Sequence, residues 1–485
     1  MGIRTREEYI ESLRRQKPRV YMGGERIESV VDHPAFQVGI NLIATTFDIE
    51  NDPKYRDRAQ IAKPIFNIVN EPISRYNQLI GSPEELVEHI KLYQTHEDFM
   101  IPCGYRCFGF HAMNSLWANT YDIDQKYHTE YHDRTIELTK KIQKEDLVVA
   151  ATSVDAKGDR RFPPGKQPDL DVNLRIVKRR HDGIVVRGAK PHCTAAAYCN
   201  MLNVRGSTGG PEEEKDFAVA FSTPIDAPGI TILCTRPRFP LEPKKFENPY
   251  SKRYGGQIEG MVIFEDVFVP WENVYMCGEI EFARQMASLR HGYHIMHKCM
   301  CRPVLLKIAI GATALMAEYN GLDQTEVVQE TLADMVMEYH ILQACALSSA
   351  MQAWRHESGI YFAKDGPASS GKVYMTHKLG EERVNLLECA GGLATTKVSE
   401  KDYLNPETKG YIEKYYKGRD GVPTENRFRA LALIEDLTTS EFAGWYLGLV
   451  VLGGTPARTH KRAIMAEWNM EECKRLAKAA ALIKE

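Results

Sequence analysis

The sequence predicts an α+β chain in three parts: a helical N-terminal region over 1–146, a strand-rich middle over 147–278 and a C-terminal helical bundle over 279–485. Three observations support this order. Helix-start signals recur in the first part, short β-branched runs punctuated by Gly, Pro and Asp dominate the second, and long segments with apolar residues at helical spacing fill the third.

The first helix is marked by T-R-E-E-Y-I-E-S-L from Thr5, a capping residue followed by acids in the first turn. A second opens at Ser82 in S-P-E-E-L-V-E-H-I-K-L-Y, where proline occupies the first helical position and its missing N–H costs nothing. The segment C-G-Y-R-C follows, near Pro102. In the middle region the strand candidates are G-I-V-V-R-G at 183, F-A-V-A-F-S at 217, G-I-T-I-L-C at 229 and G-M-V-I-F-E-D-V-F-V-P at 260. Beyond Glu279, helical periodicity covers 303–320, 325–356, 371–390 and 425–452, as expected for a bundle.

With 485 residues, 43% of them hydrophobic, the chain can bury a large core. Its 62 basic and 65 acidic residues leave a net charge of −3, which gives no electrostatic case for binding nucleic acid or an anionic membrane. No apolar run approaches a membrane span, and M-G-I-R-T-R-E-E-Y-I is too charged for a signal peptide. The expectation is a cytoplasmic protein with reduced thiols.

Four soft ligands in two distant clusters carry the chemistry. Cys103 and Cys107 lie in C-G-Y-R-C; His294 and Cys301 lie in G-Y-H-I-M-H-K-C-M-C. On a helix, residues four apart share a face and residues seven apart return to it, so each cluster can present two ligands in one direction. Three thiolates and an imidazole suit zinc or an iron–sulfur cluster, and spacing does not choose between them. Cysteine also packs well as a small hydrophobe, and eleven are scattered along this chain. His297 and Cys299 compete with His294 and Cys301 for the second pair.

Other motifs extend the picture: R-V-Y-M-G-G-E-R-I at 19, Y-D-I-D-Q-K-Y at 121, D-A-K-G-D-R at 155, D-G-I-V-V-R-G-A-K-P-H-C-T at 182, G-G-Q-I-E at 255, V-F-V-P at 267 and C-A-G-G-L at 389. Nearly end to end, the chain resembles the flavoprotein group of 4-hydroxybutyryl-CoA dehydratase and 4-hydroxyphenylacetate 3-hydroxylase. The resemblance implies an acyl-CoA dehydrogenase-like fold with a β-barrel-like middle domain, and FAD as cofactor. It is the dehydratase branch whose ligands match Cys103, Cys107, His294 and Cys301, which implies a [4Fe-4S] cluster. Asp155, Lys157, Gly158, Asp159 and Arg160 are then expected at the flavin, with Asp159 orienting its cationic neighbours. Thr194 is expected against the isoalloxazine, and Gly391 and Gly392 in a loop near it.

The implied reaction is dehydration of 4-hydroxybutyryl-CoA or a related hydroxyacyl-CoA through a radical route, accompanied by isomerisation of vinylacetyl-CoA. In that scheme His294 is both ligand and base, Glu259 moves protons and Lys298 stands beside the cluster. This chain departs from the family pattern at Lys298, where the branch has tyrosine, at Arg302 and at Tyr105. Near the C-terminus, L-G-L-V-V-L-G-G-T-P from Leu447 contains no acid or histidine where the family has a glutamate. Other readings stay open: the same scaffold with another acyl-CoA substrate or isomerase activity alone, a flavin-dependent aromatic monooxygenase, or a non-catalytic cluster-binding protein. The family also implies a homotetramer, and W-Y-L-G-L-V-V-L at 445 is compatible with either an interface or a core.

Overall fold

The computed structural model describes residues 2–206, 210 and 212–483. Both helix starts form as the local signals dictate. The Thr5 hydroxyl accepts from the Glu8 amide at 3.2 Å while the Glu8 carboxylate accepts from the Thr5 amide at 2.8 Å, opening the helix Arg6–Arg15. Two first-turn amides that no helical carbonyl can reach are thereby satisfied. Ser82 accepts from the Glu85 amide and Pro83 is the first residue of Pro83–Gln94.

The helices Pro34–Asn51, Cys107–Tyr127 and Tyr131–Glu145 complete the N-terminal layer. A buried ion cluster ties them together. Arg106, 2% exposed, pairs with Glu50 at 2.9 Å and with Asp146, and Asn77 donates to Asp146 at 2.8 Å. Its guanidinium also lies 4.6 Å from the centre of the Phe47 ring and 4.8 Å from that of Tyr76. A charge this deep persists only when carboxylates and hydrogen bonds surround it. The chain between Cys103 and Cys107 is therefore anchored at Arg106, the residue before Cys107.

The expected strands at 183, 217, 229 and 260 all form. One sheet runs Glu25–Ile27, Val20–Met22, Ile230–Cys234, Glu259–Pro270, Gly183–Thr194, Arg175–Arg179; the other runs Val274–Cys277, Val219–Pro224, Met201–Arg205, Val149–Thr152. Among the described residues both sheets are open, so the barrel-like expectation is not met as a closed ring. Closure requires the outer strands to pair, and here each sheet keeps two edges. Two strands of the larger sheet come from residues 20–27, which precede the strand-rich region.

The C-terminal part is built on one helix of 41 residues, Ile280–Asn320, against which Glu326–Met351 and Asp365–Cys389 pack. The segment expected to run through 425–452 is two helices, Thr424–Thr438 and Glu441–Leu452, because the Ser440 hydroxyl accepts from the Ala443 amide at 3.1 Å and starts a new helix. Contrary to the sequence expectation, Ile280–Asn320 is long and apolar enough to cross a membrane by length and composition. Of its most apolar window, 61% is buried within the protein, as suits a core helix.

Candidate active site

Cys107 is the first residue of the helix Cys107–Tyr127, and Cys103 lies in the loop before it. The pair is thus not presented from one helical face, as spacing alone suggested. Tyr105 between them stands at φ +57°, a left-handed conformation that a helix cannot include. The loop folds Cys103 back instead. Its sulfur accepts from the Tyr105 amide at 3.4 Å and is in hydrogen-bonding contact with the thiols of Cys107 and Cys301. Those thiol donors, helped by the Tyr105 amide and the nearby Lys298 ammonium, hold the Cys103 thiol well below its ordinary range. Cys107 and Cys301, which share their protons with Cys103 and are largely desolvated, are pushed up.

Cys301 and His294 lie two turns apart on the long helix. Their competitors face elsewhere. The Cys299 sulfur lies 3.5 Å from the Ala368 carbonyl within the bundle. His297 uses both ring nitrogens: Nε2 is 2.8 Å from His89 Nε2, and Nδ1 is 2.9 Å from His111 Nε2 and 2.7 Å from the Tyr293 carbonyl. His294 Nδ1, by contrast, is buried without a hydrogen-bond partner. Burial first, then the charges of Lys298 and Arg290, keep this imidazole well below its usual pKa and therefore neutral, the form that ligates metals. Among the described residues no group of three or more His, Cys, Asp or Glu is disposed to hold a metal ion.

Lys298, one turn beyond His294, makes no hydrogen bond or ion pair among the described residues. The C-terminal stretch without acids folds directly onto this pair. A Cβ at Gly453 would stand 3.3 Å from Lys298 Nζ, and one at Gly454, whose φ is +79°, would stand 2.8 Å from His294 Cδ2 and 2.9 Å from Nε2. Arg302 turns away, into an ion pair with Glu382 and a longer one, 3.8 Å, with Glu338.

Thr194 and Glu259 are direct partners across two antiparallel strands, and the Thr194 hydroxyl lies 2.9 Å from each carboxylate oxygen. The Gln257 amide also donates to Glu259. Tyr105, 3% exposed, is close enough to feel the charges of both Cys103 and Glu259, so it joins the thiols to the strand pair.

In the D-A-K-G-D-R segment, Asp155 pairs with the buried Lys190 ammonium. Asp159 binds Arg161, at 2.9 and 3.1 Å, rather than orienting Lys157 and Arg160 as expected. Two-residue spacing lets Arg161 fold back on Asp159, whose amide donates to Gln167 Oε1 at 3.0 Å. Gly158 sits at φ +52° in this turn. Lys157 and Arg160 have no hydrogen bond or ion pair among the described residues. Gly391 and Gly392, at φ +65° and +77°, end the helix Asp365–Cys389; a Cβ at either meets nothing within 4 Å. No hydrogen bond joins them to the residues above.

Sequence reasoning missed Tyr446 and the pairing of His297 with His89 and His111. Tyr446 lies near Arg302, Cys301 and Cys103, and its ring centre is 5.9 Å from the Arg302 guanidinium carbon. Its only signal was a hydroxyl within an apolar run. The three histidines are far apart in sequence, and no spacing joins them.

The thiols and the neutral buried imidazole thus stand in the helical parts, and Tyr105 links Cys103 to the strand-borne carboxylate of Glu259. The family models for the 4-hydroxyphenylacetate 3-hydroxylase N terminal and C terminal match residues 5–276 and 283–481, and the chain belongs to this family. It is 34% identical to the 4-hydroxybutyryl-CoA dehydratase/vinylacetyl-CoA-Δ-isomerase of Clostridium aminobutyricum, over 99% of this chain and 100% of that one. It is 26% identical to the 4-hydroxyphenylacetate 3-monooxygenase oxygenase component of Thermus thermophilus, over 90% and 89% of the two chains. Among solved structures, the oxygen-tolerant archaeal 4-hydroxybutyryl-CoA dehydratase from N. maritimus superimposes with a TM-score of 0.93 at 32% identity, covering 100% of this chain and 96% of that one.

Proposed function

We propose that this protein is a flavin-dependent lyase that dehydrates 4-hydroxybutyryl-CoA or a related hydroxyacyl-CoA and isomerises vinylacetyl-CoA. In this reading FAD lies along Asp155–Arg160 and Thr194, and a [4Fe-4S] cluster is held by Cys103, Cys107, His294 and Cys301. The observations that carry it are the contact of the Cys103 sulfur with the thiols of Cys107 and Cys301, from two distant segments, and, on the same helix as Cys301, a neutral His294 whose Nδ1 has no partner, while Cys299 and His297 are engaged elsewhere. A four-iron cluster takes each ligand at a separate iron, so its ligands need not converge on one point. The full-length relation to the dehydratases supports the same conclusion.

When bound, the flavin supplies one-electron chemistry and the cluster Lewis acidity. The chain's own residues do the rest. Lys157 and Arg160 have donors free for the flavin or its phosphates. Glu259, held by Thr194 and Gln257, moves the substrate's protons. His294 is neutral, able to ligate or to accept a proton. The Lys298 ammonium beside them, with no carboxylate partner, favours an acyl chain that carries an additional polar or anionic group. The three parts 1–146, 147–278 and 279–485 act as domains of one site, and a homotetramer belongs to the same reading, supported by exposed apolar residues such as Leu452, Trp468 and Leu476.

Anaerobic purification with iron, acid-labile sulfide and flavin quantified per chain, followed by incubation with 4-hydroxybutyryl-CoA and vinylacetyl-CoA, tests this. The expected result is flavin, about four irons per chain, and crotonyl-CoA from both substrates. Product from vinylacetyl-CoA alone restricts the enzyme to isomerisation or to another hydroxyacyl-CoA. Flavin without iron overturns the ligand assignment.

A further inference from the structure

Two arginines near the D-A-K-G-D-R segment have no carboxylate of their own. Arg205 ends the strand Met201–Arg205, and its Nε and Nη1 are buried with no hydrogen-bond partner. Arg290, four residues before His294 on the long helix, donates to the Ser153 hydroxyl and forms no ion pair among the described residues. Burial brings each guanidinium down to about 10; for Arg290 the repulsion of Arg205 adds to it, and for Arg205 the charge of Asp155 opposes it. Asp155 is already paired with Lys190. Lys190 and Arg205 therefore share one carboxylate, and Arg290, repelled by Arg205, has none. Such an excess is costly unless an anion joins it.

Ser153 and Asp155 place these arginines at the flavin site, and Arg290 also lies within the field of Cys107 and His294. We propose that Arg205 and Arg290 form an anion pocket for the isoalloxazine ring in its reduced, negatively charged form and so raise the flavin's reduction potential. The inference rests on the flavin reading above. Oxidised isoalloxazine is neutral and gains little from two cations. An electron added without a proton leaves a negative charge on the pyrimidine end of the ring, which the guanidiniums offset. In the proposed reaction the electron comes from the deprotonated acyl-CoA; in the test it comes from dithionite.

The test compares the wild-type chain with Arg205→Gln, Arg290→Gln and the corresponding lysine variants. Oxidised FAD affinity is read by fluorescence, and the bound flavin's potential by anaerobic dithionite titration against reference dyes. Each glutamine variant is expected to keep oxidised FAD while binding the reduced form about tenfold more weakly, a potential lower by ~59 mV for a one-electron step. The lysine variants are expected to recover most of that shift. Equal weakening of both forms with an unmoved potential overturns the inference and makes the arginines holders of the FAD phosphates. The wild-type chain gives a second test that needs no variant. Its reduced flavin is expected to show the absorption of the anion at mildly acidic pH, and the spectrum of the neutral form overturns the pocket. A wild-type chain that binds no flavin removes the flavin reading itself, and the pocket with it.

Discussion

His294 and His297 are one turn apart on one helix and have opposite surroundings. His297 is held on both nitrogens by buried neighbours, whereas His294 Nδ1 has none. His297→Ala is expected to cost about 2–4 kcal/mol in urea unfolding, since it opens a cavity and strips partners from His89 and His111. His294→Ala is expected to leave stability within about 1 kcal/mol and to lose iron, read as metal per chain. Gly454→Ala tests the close approach to His294. With φ at +79° and a Cβ 2.8 Å from the imidazole, it is expected to cost about 1–2 kcal/mol and to lower activity. The buried histidines also set the acid limit. His96, His297 and His460 are pushed by desolvation to about 4. Unfolded, they titrate near 6.5, so between these values the unfolded chain binds more protons and stability rises with pH. Going from pH 7.5 to 5.5 is expected to remove about 1.4 kcal/mol per histidine. A urea midpoint unchanged over that range contradicts neutral buried imidazoles.

Helix starts and strands were legible because their causes are local. Thr5 with Glu8, and Ser82 with Pro83, sit within one turn of the amides they serve, and the β-branched runs at 183, 229 and 260 need only their own residues to become strands. The geometry of C-G-Y-R-C was not legible. Its turn depends on Tyr105 at φ +57° and on Arg106 reaching Glu50 and Asp146, 56 and 40 residues away in sequence. Whether the sheets close depends on the strands flanking them, which no single run encodes. The pairing of Thr194 with Glu259 comes likewise from the register between two strands. Thr194→Val is expected to free the carboxylate, lowering kcat/KM on the order of tenfold while costing about 1 kcal/mol in stability; steady-state kinetics beside urea unfolding separate the two.

The candidate site takes residues from every part of the molecule: Cys103 and Cys107 from the first, Thr194 and Glu259 from the second, His294, Lys298 and Cys301 from the third. Residues 1–278 produced alone therefore carry only two of the four proposed ligands and are expected to hold no iron, measured as metal and sulfide per chain. The two cysteine-bearing segments were readable from sequence, while the contact of Cys103 with both Cys107 and Cys301 was a property of the whole packing. The long helix concentrates these dependencies. Between His294 and Arg302 it sends successive residues to the thiol site, to the histidine set, to the bundle and to the Glu338–Glu382 pair. Since each residue advances a helix by about 100°, deleting or inserting one anywhere in this stretch would exchange all of these destinations at once. Chains built on this plan can vary the chemistry of individual positions here, but they are held to a fixed count of residues, and length conservation across this segment is the trace such a site should leave among its descendants.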